Sequence, residues 1–429
     1  MLAIPLAALL ALTATPHPAH AQHQDSLARI AHARAILRAA PLIDGHNDLP
    51  WRIREDSVHP MDVDAYDLRQ HTPGMTDLER LRQGGVGAQF WSVYIPGEPE
   101  DPTYRHDSAS VSSAPGYARA QLEQIDIARR VIARYPDQLA LALSADDIVR
   151  ITKEGKIASL IGMEGGHAIE NSLAALRMYY ALGARYMTLT HNVTLDWADA
   201  ALDSAKRGGL TPFGVQVVHE MNRLGMLVDL SHTAPGTMSD ALTASRAPVI
   251  FSHSGARALV DHPRNVPDSI LRRVRTNGGI VMVPFVPEFV SAALYRWEQD
   301  SSATADSAHA RHAADSAAAT REIAAWVTAH AKPHATIAEV ADHIEHVRDV
   351  AGVEHVGIGS DFDGITLTVQ GLEDVSKFPA LFAELIRRGW SDADLKKLAG
   401  QNLLRVFRDA ERVAAELRGS APAASSLTP

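Results

Sequence analysis

The 429-residue chain contains no cysteine. It can therefore form no disulfide bond and offers no thiolate as a nucleophile or metal ligand. It also lacks a basic excess, because 41 lysines and arginines stand against 51 aspartates and glutamates, a formal net charge of -10. Nucleic acids and anionic membranes bind to basic surfaces, so this balance argues against both kinds of partner. Its content of 46% hydrophobic and 21% charged residues is typical of a globular protein with an ample core.

Long apolar runs are missing too, and the strongest one lies at the N-terminus. The first 21 residues carry no Lys, Arg, Asp or Glu, and the segment from Leu2 to Leu12 is mostly alanine and leucine. This run is shorter than the ~20 residues that a membrane-spanning helix needs. Ala19-His20-Ala21 fits a small-x-small cleavage pattern, so we expect residues 1–21 to be a signal peptide. An uncleaved apolar N-terminus is the alternative, since no basic residue precedes the run.

Export would make the mature chain, beginning near Gln22, a periplasmic or secreted protein. The small, polar tail of residues 419–429 has no hydrophobic segment of the kind a lipid-anchor signal requires. We expect this tail to be flexible and the mature chain to carry no membrane anchor. Residues 22–418 are expected to form a single catalytic domain.

Eight short apolar runs alternate with helical patterns along the chain, and glycine or proline flanks nearly all of the runs. Apolar strands separated by helices indicate a parallel sheet covered on both faces. Eight such units predict an α/β fold of the closed (β/α)8 TIM-type barrel, with an open doubly wound sheet as the competing architecture. The runs are Leu42 to Asp44, Val86 to Ile95, Ile157 to Met163, Tyr186 to Leu189, Met226 to Leu230, Pro248 to Phe251, Ile280 to Val286 and Val356 to Ile358.

Polar side chains that suit chemistry recur just after these runs, in six of the eight units. In a closed barrel the carboxyl ends of all strands meet at one mouth, where the active sites of such enzymes lie. The repetition therefore favours the barrel over the open sheet, although any one histidine is more simply read as a hydrogen-bonded loop or core residue. The recurring residues are His46, Asp48, Glu164, His191, His232, His253 and Asp361.

His46 and Asp48 offer the first hint of a metal site. Side chains two apart on a strand point the same way, so an imidazole and a carboxylate would share one face. Zinc takes nitrogen from histidine and oxygen from aspartate or glutamate. The alternative is a polar turn in which the two side chains hydrogen-bond each other.

Two segments interrupt the alternation of strand and helix. Residues 288–332, rich in Ala, Ser, Asp and His, form an insertion after the seventh run that should emerge on the active-site face. Its histidines are better explained by solvated helices than by a metal site. The part from Phe378 to Leu417 is predicted to be helical, with Ser391 as an N-cap, and to pack on the outside of the barrel.

Seven motifs set these polar residues in specific surroundings, in chain order. They are Asp44-Gly-His-Asn-Asp-Leu-Pro-Trp51, Gly162-Met-Glu-Gly-Gly-His167, Tyr186-Met-Thr-Leu-Thr-His-Asn192, Val228-Asp-Leu-Ser-His232, Pro248-Val-Ile-Phe-Ser-His-Ser254, Arg264-Asn-Val-Pro-Asp268 and Gly359-Ser-Asp-Phe-Asp-Gly364. Together, from about residue 27 to 410, they resemble the membrane dipeptidase (renal dipeptidase) family of zinc metallopeptidases. The insertion at residues 288–332 is longer than the resemblance leads us to expect.

The resemblance implies a (β/α)8 barrel that binds two zinc ions and hydrolyses dipeptides. It places Glu164 as the bridge between the ions and assigns substrate-handling positions to His191, Arg264 and Asp361. Two ions sharing a carboxylate can hold a hydroxide between them, because zinc lowers the pKa of bound water to ~7. The implied metal ligands are His46, Asp48, Glu164, His232 and His253.

Three roles near the metals remain predictions with alternatives. Asp361 would move a proton from the attacking water to the departing amine, with Asp363 as the rival carboxylate. His191 would stabilise the oxyanion or serve as a further metal ligand. Arg264 would bind the free carboxylate of the substrate through its planar fork, or form a structural ion pair instead.

Other functions stay open at this point. Other binuclear barrel hydrolases act on lactones, cyclic amides or phosphoesters, often with a modified lysine as the bridge, and no lysine stands at a strand end here. An inactive zinc-binding or peptide-binding protein would be expected to lose a ligand or Asp361, and neither is lost. The expected partner is a dipeptide, and the sequence does not decide whether the protein is a homodimer.

Overall fold

The computed structural model describes residues 18–97, 116–420 and 422, with side chains from Asp25 onward. Most of the predicted signal peptide and of the predicted flexible tail lies outside the described residues. None of the described helices is long and apolar enough to cross a membrane.

Nine strands, all parallel to their neighbours, form the sheet. Strand β2 pairs with both β1 and β4, and the remaining pairings run in order from β4 to β9 and back to β1, so eight strands close into a barrel. The predicted (β/α)8 barrel is thus confirmed. The strands are β1 Leu42–Asn47, β2 Val86–Ser92, β3 Leu139–Leu141, β4 Ile157–Met163, β5 Ala184–Thr188, β6 Leu227–Asp229, β7 Ile250–Phe251, β8 Ile280–Val283 and β9 Val356–Ile358.

Each of the eight predicted apolar runs contains or overlaps one barrel strand. The additional strand β3 pairs with the start of β4 and was not predicted, because three residues are too few to show a period of two. Helices follow the strands and surround the barrel. They are α1 Pro18–Ala39, α2 Leu49–Arg54, α3 Leu78–Gly84, α4 Tyr117–Arg134, α5 Ala145–Lys153, α6 Leu173–Ala181, α7 Pro212–Leu224, α8 Pro235–Ala244, α9 Asp268–Asn277, α10 Pro287–Val290, α11 Ala292–Arg311, α12 Ser316–Ala329, α13 Ile337–Ala351, α14 Phe378–Arg387, α15 Asp392–Lys396 and α16 Asn402–Leu417.

Helix α7 shows how local sequence sets these boundaries. The Thr211 hydroxyl accepts a hydrogen bond from the Gly214 N–H, and Pro212 occupies the first turn, where its missing N–H costs nothing. The helix ends at Gly225, whose φ of 82° is a left-handed conformation that glycine adopts without steric cost. The predicted and observed limits of this helix are therefore identical.

The C-terminal helices cover the barrel as predicted. Ser391 caps α15 by accepting a hydrogen bond from the Asp394 N–H. Side chains of α16, including Phe407, share one buried cluster with barrel residues such as Phe90 and Ile280. Burial of about 25 cal/mol per Å² of apolar surface makes this contact a large part of the stability of the fold.

The predicted insertion, residues 288–332, consists of α10 and a hairpin of α11 and α12. The Trp297 indole N–H donates to the His330 carbonyl oxygen at 2.8 Å, which ties the base of the hairpin. His312 lies 3.0 Å from Glu322, and His330 stacks on Trp326. Within the described part of the chain, no metal-capable cluster includes a histidine of this insertion.

Candidate metal centre and substrate pocket

Five buried polar side chains meet at the carboxyl end of the barrel. The backbone of each strand delivers its residue to the same mouth because the strands are parallel and closed. His46 stands at the end of β1, with Asp48 directly after it, and the other three residues follow β4, β6 and β7. Their exposed fractions are 0% for His46, 4% for Asp48, 5% for Glu164, 6% for His232 and 1% for His253.

Glu164 lies between two groups of ligand atoms. Its Oε2 atom is 3.4 Å from His46 Nε2, which in turn is 3.1 Å from Asp48 Oδ2. Its Oε1 atom is 2.8 Å from His232 Nε2 and 3.5 Å from His253 Nε2. The two carboxylate oxygens thus face different ligand sets, which is the arrangement of a carboxylate that joins two cations.

The unsatisfied atoms of this cluster fit metal ions. Among the described residues, His46 Nε2 and Asp48 Oδ1 are buried without a hydrogen-bond partner, and such groups cost free energy unless something binds them. His232 Nε2 and His253 Nε2 lie only 3.0 Å apart. Burial holds the pKa of both imidazoles well below the usual value, which keeps them neutral and able to ligate. Nitrogen and carboxylate oxygen together are the donor set of zinc.

A second layer of polar groups orients the three imidazoles. In each ring the Nδ1 atom is held by a neighbour, so that Nε2 points into the centre, and such partners tune metal affinity. The Ser252 hydroxyl that holds His253 also donates to Asp229 at 2.5 Å. The three contacts are Tyr186 Oη at 2.9 Å from His46, Asn192 Oδ1 at 3.0 Å from His232 and Ser252 Oγ at 2.9 Å from His253.

Gly162 makes room for the first of these partners. A Cβ atom at this position would overlap the ring of Tyr186, which lies fully buried inside the barrel. The absence of a side chain on β4 therefore lets the phenol of β5 reach His46. Sequence analysis missed Tyr186, since an aromatic residue in an apolar run looks like ordinary core.

Three non-glycine residues beside the centre adopt left-handed backbone conformations. His232, Asp361 and Asp363 have φ values of 66°, 68° and 65°. Such conformations cost roughly 1–3 kcal/mol each and are concentrated at functional sites. The surrounding fold supports this strain exactly where the chain must turn its side chains toward or away from the mouth.

Asp361 and Asp363 face different surroundings. Asp361 lines the pocket, with Oδ1 3.8 Å from His46 Nε2, and burial together with repulsion from Asp48 raises the pKa of its carboxyl group well above the usual value. Asp363 instead accepts a hydrogen bond from the Met75 N–H at 2.7 Å. Only Asp361 of the two is placed beside the predicted metal ligands.

Arg264 is buried to 2% exposure in the same pocket. Its guanidinium lies over the Phe289 ring at 5.2 Å. Among the described residues, Nε and Nη1 have no hydrogen-bond partner, and no carboxylate lies within 4 Å in an ion pair. Burial lowers the pKa of Arg264 to about 10, so the group is still charged at neutral pH. The alternative of a structural ion pair finds no support in these residues.

His191 stands at the edge of the cluster. Its Nε2 atom is 3.9 Å from Glu164 Oε1, and its ring centroid is 4.3 Å from that of His232. This placement is compatible with both predicted roles, an oxyanion donor and a further metal ligand.

The pocket has a volume of about 380 Å³, within the usual range for small-molecule sites. Sequence analysis missed much of its wall, although several of these residues come directly after strands β1, β2 and β8. The polar ligands lie at its floor, and an apolar and aromatic wall surrounds them. The unpredicted wall residues are Trp51, Tyr94, Leu202, His262, Val286, Glu288, Phe289 and Ile365.

Comparison with known proteins agrees with this geometry. The family model of the membrane dipeptidases, peptidase family M19, matches residues 30–421. The chain belongs to this family. It is therefore a member of a family of metal-dependent hydrolases, and its metal-capable residue groups coincide with the predicted ligands.

Relatives span nearly the whole chain. Dipeptidase verJ of Clonostachys rogersoniana is 42% identical over 390 residues, covering 91% of this chain and 89% of that protein. Dipeptidase 3 of Rattus norvegicus is 41% identical over 395 residues, covering 91% and 69%. The crystal structure of the probable dipeptidase PvdM from Pseudomonas aeruginosa superposes with a TM-score of 0.74 at 26% identity, covering 90% of this chain and 100% of that one.

Proposed function

We propose that this M19 family member is a dipeptidase that works with two zinc ions bridged by Glu164. The observation that carries the proposal is the position of the Glu164 carboxylate, whose two oxygens face separate groups of ligand atoms. His46 and Asp48 would hold one ion, and His232 and His253 the other. When bound, the zinc pair would supply an activated water and polarise the scissile carbonyl group.

The remaining residues would handle the proton and the developing charge. Asp361 would take a proton from the attacking water and pass it to the departing amine, since it lines the pocket beside His46. The raised pKa of its carboxyl group suits such a transfer near neutral pH. His191 would donate to the carbonyl oxygen as negative charge develops there.

Arg264 would determine the length of the substrate. Its buried, unpaired guanidinium offers the planar fork that binds a carboxylate through two parallel hydrogen bonds. A substrate held there by its free C-terminal carboxylate has one residue between this group and the scissile bond. The pocket of about 380 Å³ suits a ligand of that size.

A panel of L,L and L,D dipeptides, assayed with and without chelator, tests this function. We expect cleavage of free dipeptides, loss of activity with chelator and recovery with zinc, together with two zinc ions per chain by elemental analysis. One metal ion or none in an active preparation would defeat the binuclear proposal. Cleavage of lactones, cyclic amides or phosphoesters in place of dipeptides would assign the centre to another hydrolase reaction.

Export of the chain is part of the proposal. It is supported by the uncharged, apolar segment of residues 1–21 and by Ala19-His20-Ala21. Cleavage there would remove the first turn of α1, from Pro18 to Ala21. The mass of the mature protein isolated from the producing cells tests the cleavage directly, and an intact N-terminus would refute it.

A further inference from the structure

Glu288 brings a negative charge to the wall of the substrate pocket. It lies in α10, at the start of the insertion, and lines the same cavity as Arg264 and Asp361. Its side chain is partly buried. Neither the metal centre nor the proton transfer described above uses this carboxylate.

The Glu288 carboxylate has no ion-pair partner of its own. In the described ranges, no Lys, Arg or His nitrogen forms a salt bridge with it. The nearby Lys332 is engaged elsewhere, since its Nζ atom lies 3.2 Å from Glu298 and 5.1 Å from the centre of the Trp297 ring. Burial raises the pKa of Glu288, as expected for a carboxylate with little compensation around it.

The position of Glu288 relates it to one end of the substrate. The next residue, Phe289, lies under the guanidinium of Arg264. A ligand whose terminal carboxylate pairs with Arg264 therefore has the side chain of that same terminal residue beside α10. The apolar surfaces of Val286 and Phe289 can contact the methylene groups of a long side chain while its tip reaches the carboxylate.

We infer that Glu288 selects dipeptides whose C-terminal residue carries a cationic side chain, such as lysine, arginine or ornithine. The inference rests on the proposed dipeptidase function and on Arg264 as the carboxylate-binding group. The side-chain cation would pair with Glu288, while the terminal carboxylate neutralises Arg264. Both charges of the substrate then find a partner in the pocket.

Arginine and citrulline differ in charge but hardly in shape, so alanyl-arginine and alanyl-citrulline test the inference. We expect the wild-type enzyme to prefer alanyl-arginine by about tenfold in kcat/KM, a modest value for a partly buried, solvent-screened pair. The difference should lie mainly in KM, because the pair forms in the ground state and in the transition state alike. Both peptides should carry the configuration, L or D, that the enzyme prefers in alanyl-alanine.

Glu288→Gln should bring this ratio to about one, and the ratio does not depend on how much of the variant folds. Asp300→Asn removes the same charge from an exposed position on α11, outside the pocket, and should keep the wild-type ratio. Glu288→Lys should reverse the selectivity and prefer alanyl-glutamate over alanyl-glutamine.

The outcomes separate this inference from the proposed function. Cleavage of alanyl-alanine with equal use of the arginine and citrulline peptides would overturn the role of Glu288 and leave the dipeptidase function standing. A preference for arginine that survives in Glu288→Gln would also overturn it. If the zinc-loaded enzyme cleaves no dipeptide at all, both proposals fall together.

Discussion

At the scale of single residues, the metal centre depends on side chains whose surroundings differ more than their sequence does. Asp361 and Asp363 are two apart in one motif, so strand alternation predicts that they share a face. Both have a positive φ, however, and alternation holds only for extended backbone. One carboxylate therefore lines the pocket while the other caps the Met75 N–H.

Asp361→Asn should separate proton transfer from metal binding. The amide keeps the shape of the side chain but cannot accept the proton, so kcat should fall roughly 10²- to 10⁴-fold. Zinc content, measured by elemental analysis, should stay at the wild-type level. Asp363→Asn, which can still accept the Met75 hydrogen bond, serves as the matched control. A large loss in the control alone would show that Asp363 is the proton carrier.

Arg264→Ala should lower kcat/KM for a free dipeptide by about 2–5 kcal/mol, the range for truncating one partner of a buried charge pair. Amidation of the C-terminus should impair the wild-type enzyme to a similar extent, since it removes the charge that Arg264 would bind. The same amidation should hardly affect the variant. Equal cleavage of free and amidated dipeptides by the wild type would exclude Arg264 as the determinant of substrate length.

At the scale of elements, the alternation of apolar runs and helical patterns was enough to predict the barrel, because parallel strands buried on both faces leave a clear signal. The polar residues after the strands located the metal ligands for the same reason. Glu288 and Phe289 were not predicted as pocket residues, since the path of a loop after a strand depends on packing and not on periodicity. Tyr186 was missed because its role is visible only once Gly162 is seen beside it.

Helix α13 is joined to the loop after β7 by a buried histidine. His343 Nδ1 accepts a hydrogen bond from the Ala256 N–H at 2.9 Å, and burial lowers the pKa of the imidazole to about 4. Between pH 6.5 and about 4 the unfolded chain therefore binds a proton that the folded chain does not. The free energy of unfolding should fall across this window as the pH decreases, by up to about 3 kcal/mol from this group.

Urea unfolding of wild type and His343→Gln, both stripped of metal by chelator, measures this contribution. The variant is expected to be less stable at pH 7 and to lose less stability than the wild type between pH 7 and pH 4. Other buried histidines titrate in both proteins, so the difference between the two isolates His343. Identical pH profiles would show that the imidazole is not buried as a neutral acceptor.

At the scale of the whole molecule, the metal ions would tie together strands from distant parts of the chain. Ligands that bind only the native state raise the free energy of unfolding, by about 4 kcal/mol at a thousandfold excess over Kd. Chelator should therefore lower Tm by at least a few degrees. Glu164→Ala should start with a low zinc content and a Tm that chelator no longer changes.

Glu354→Ala is the control for this measurement. Glu354 lies outside the centre, where it pairs with Lys397 at 2.9 Å, and the variant should keep both the zinc content and the response to chelator. A wild-type Tm that is unaffected by chelator would mean that the ions, if bound, contribute little to the stability of the barrel.

The pairing of β1 with β9 has a consequence for biosynthesis. Asp44 pairs with Ile358, and the Asp361 N–H donates to the His46 carbonyl oxygen, so the first strand waits for the last before the barrel is closed. A ribosome makes about 5–20 residues per second, so more than 300 residues separate the two strands by roughly 15–60 s of translation. During that time the nascent polypeptide has an open sheet edge next to its first ligands. Zinc loading is thus a late event, which follows translation and, for an exported chain, translocation.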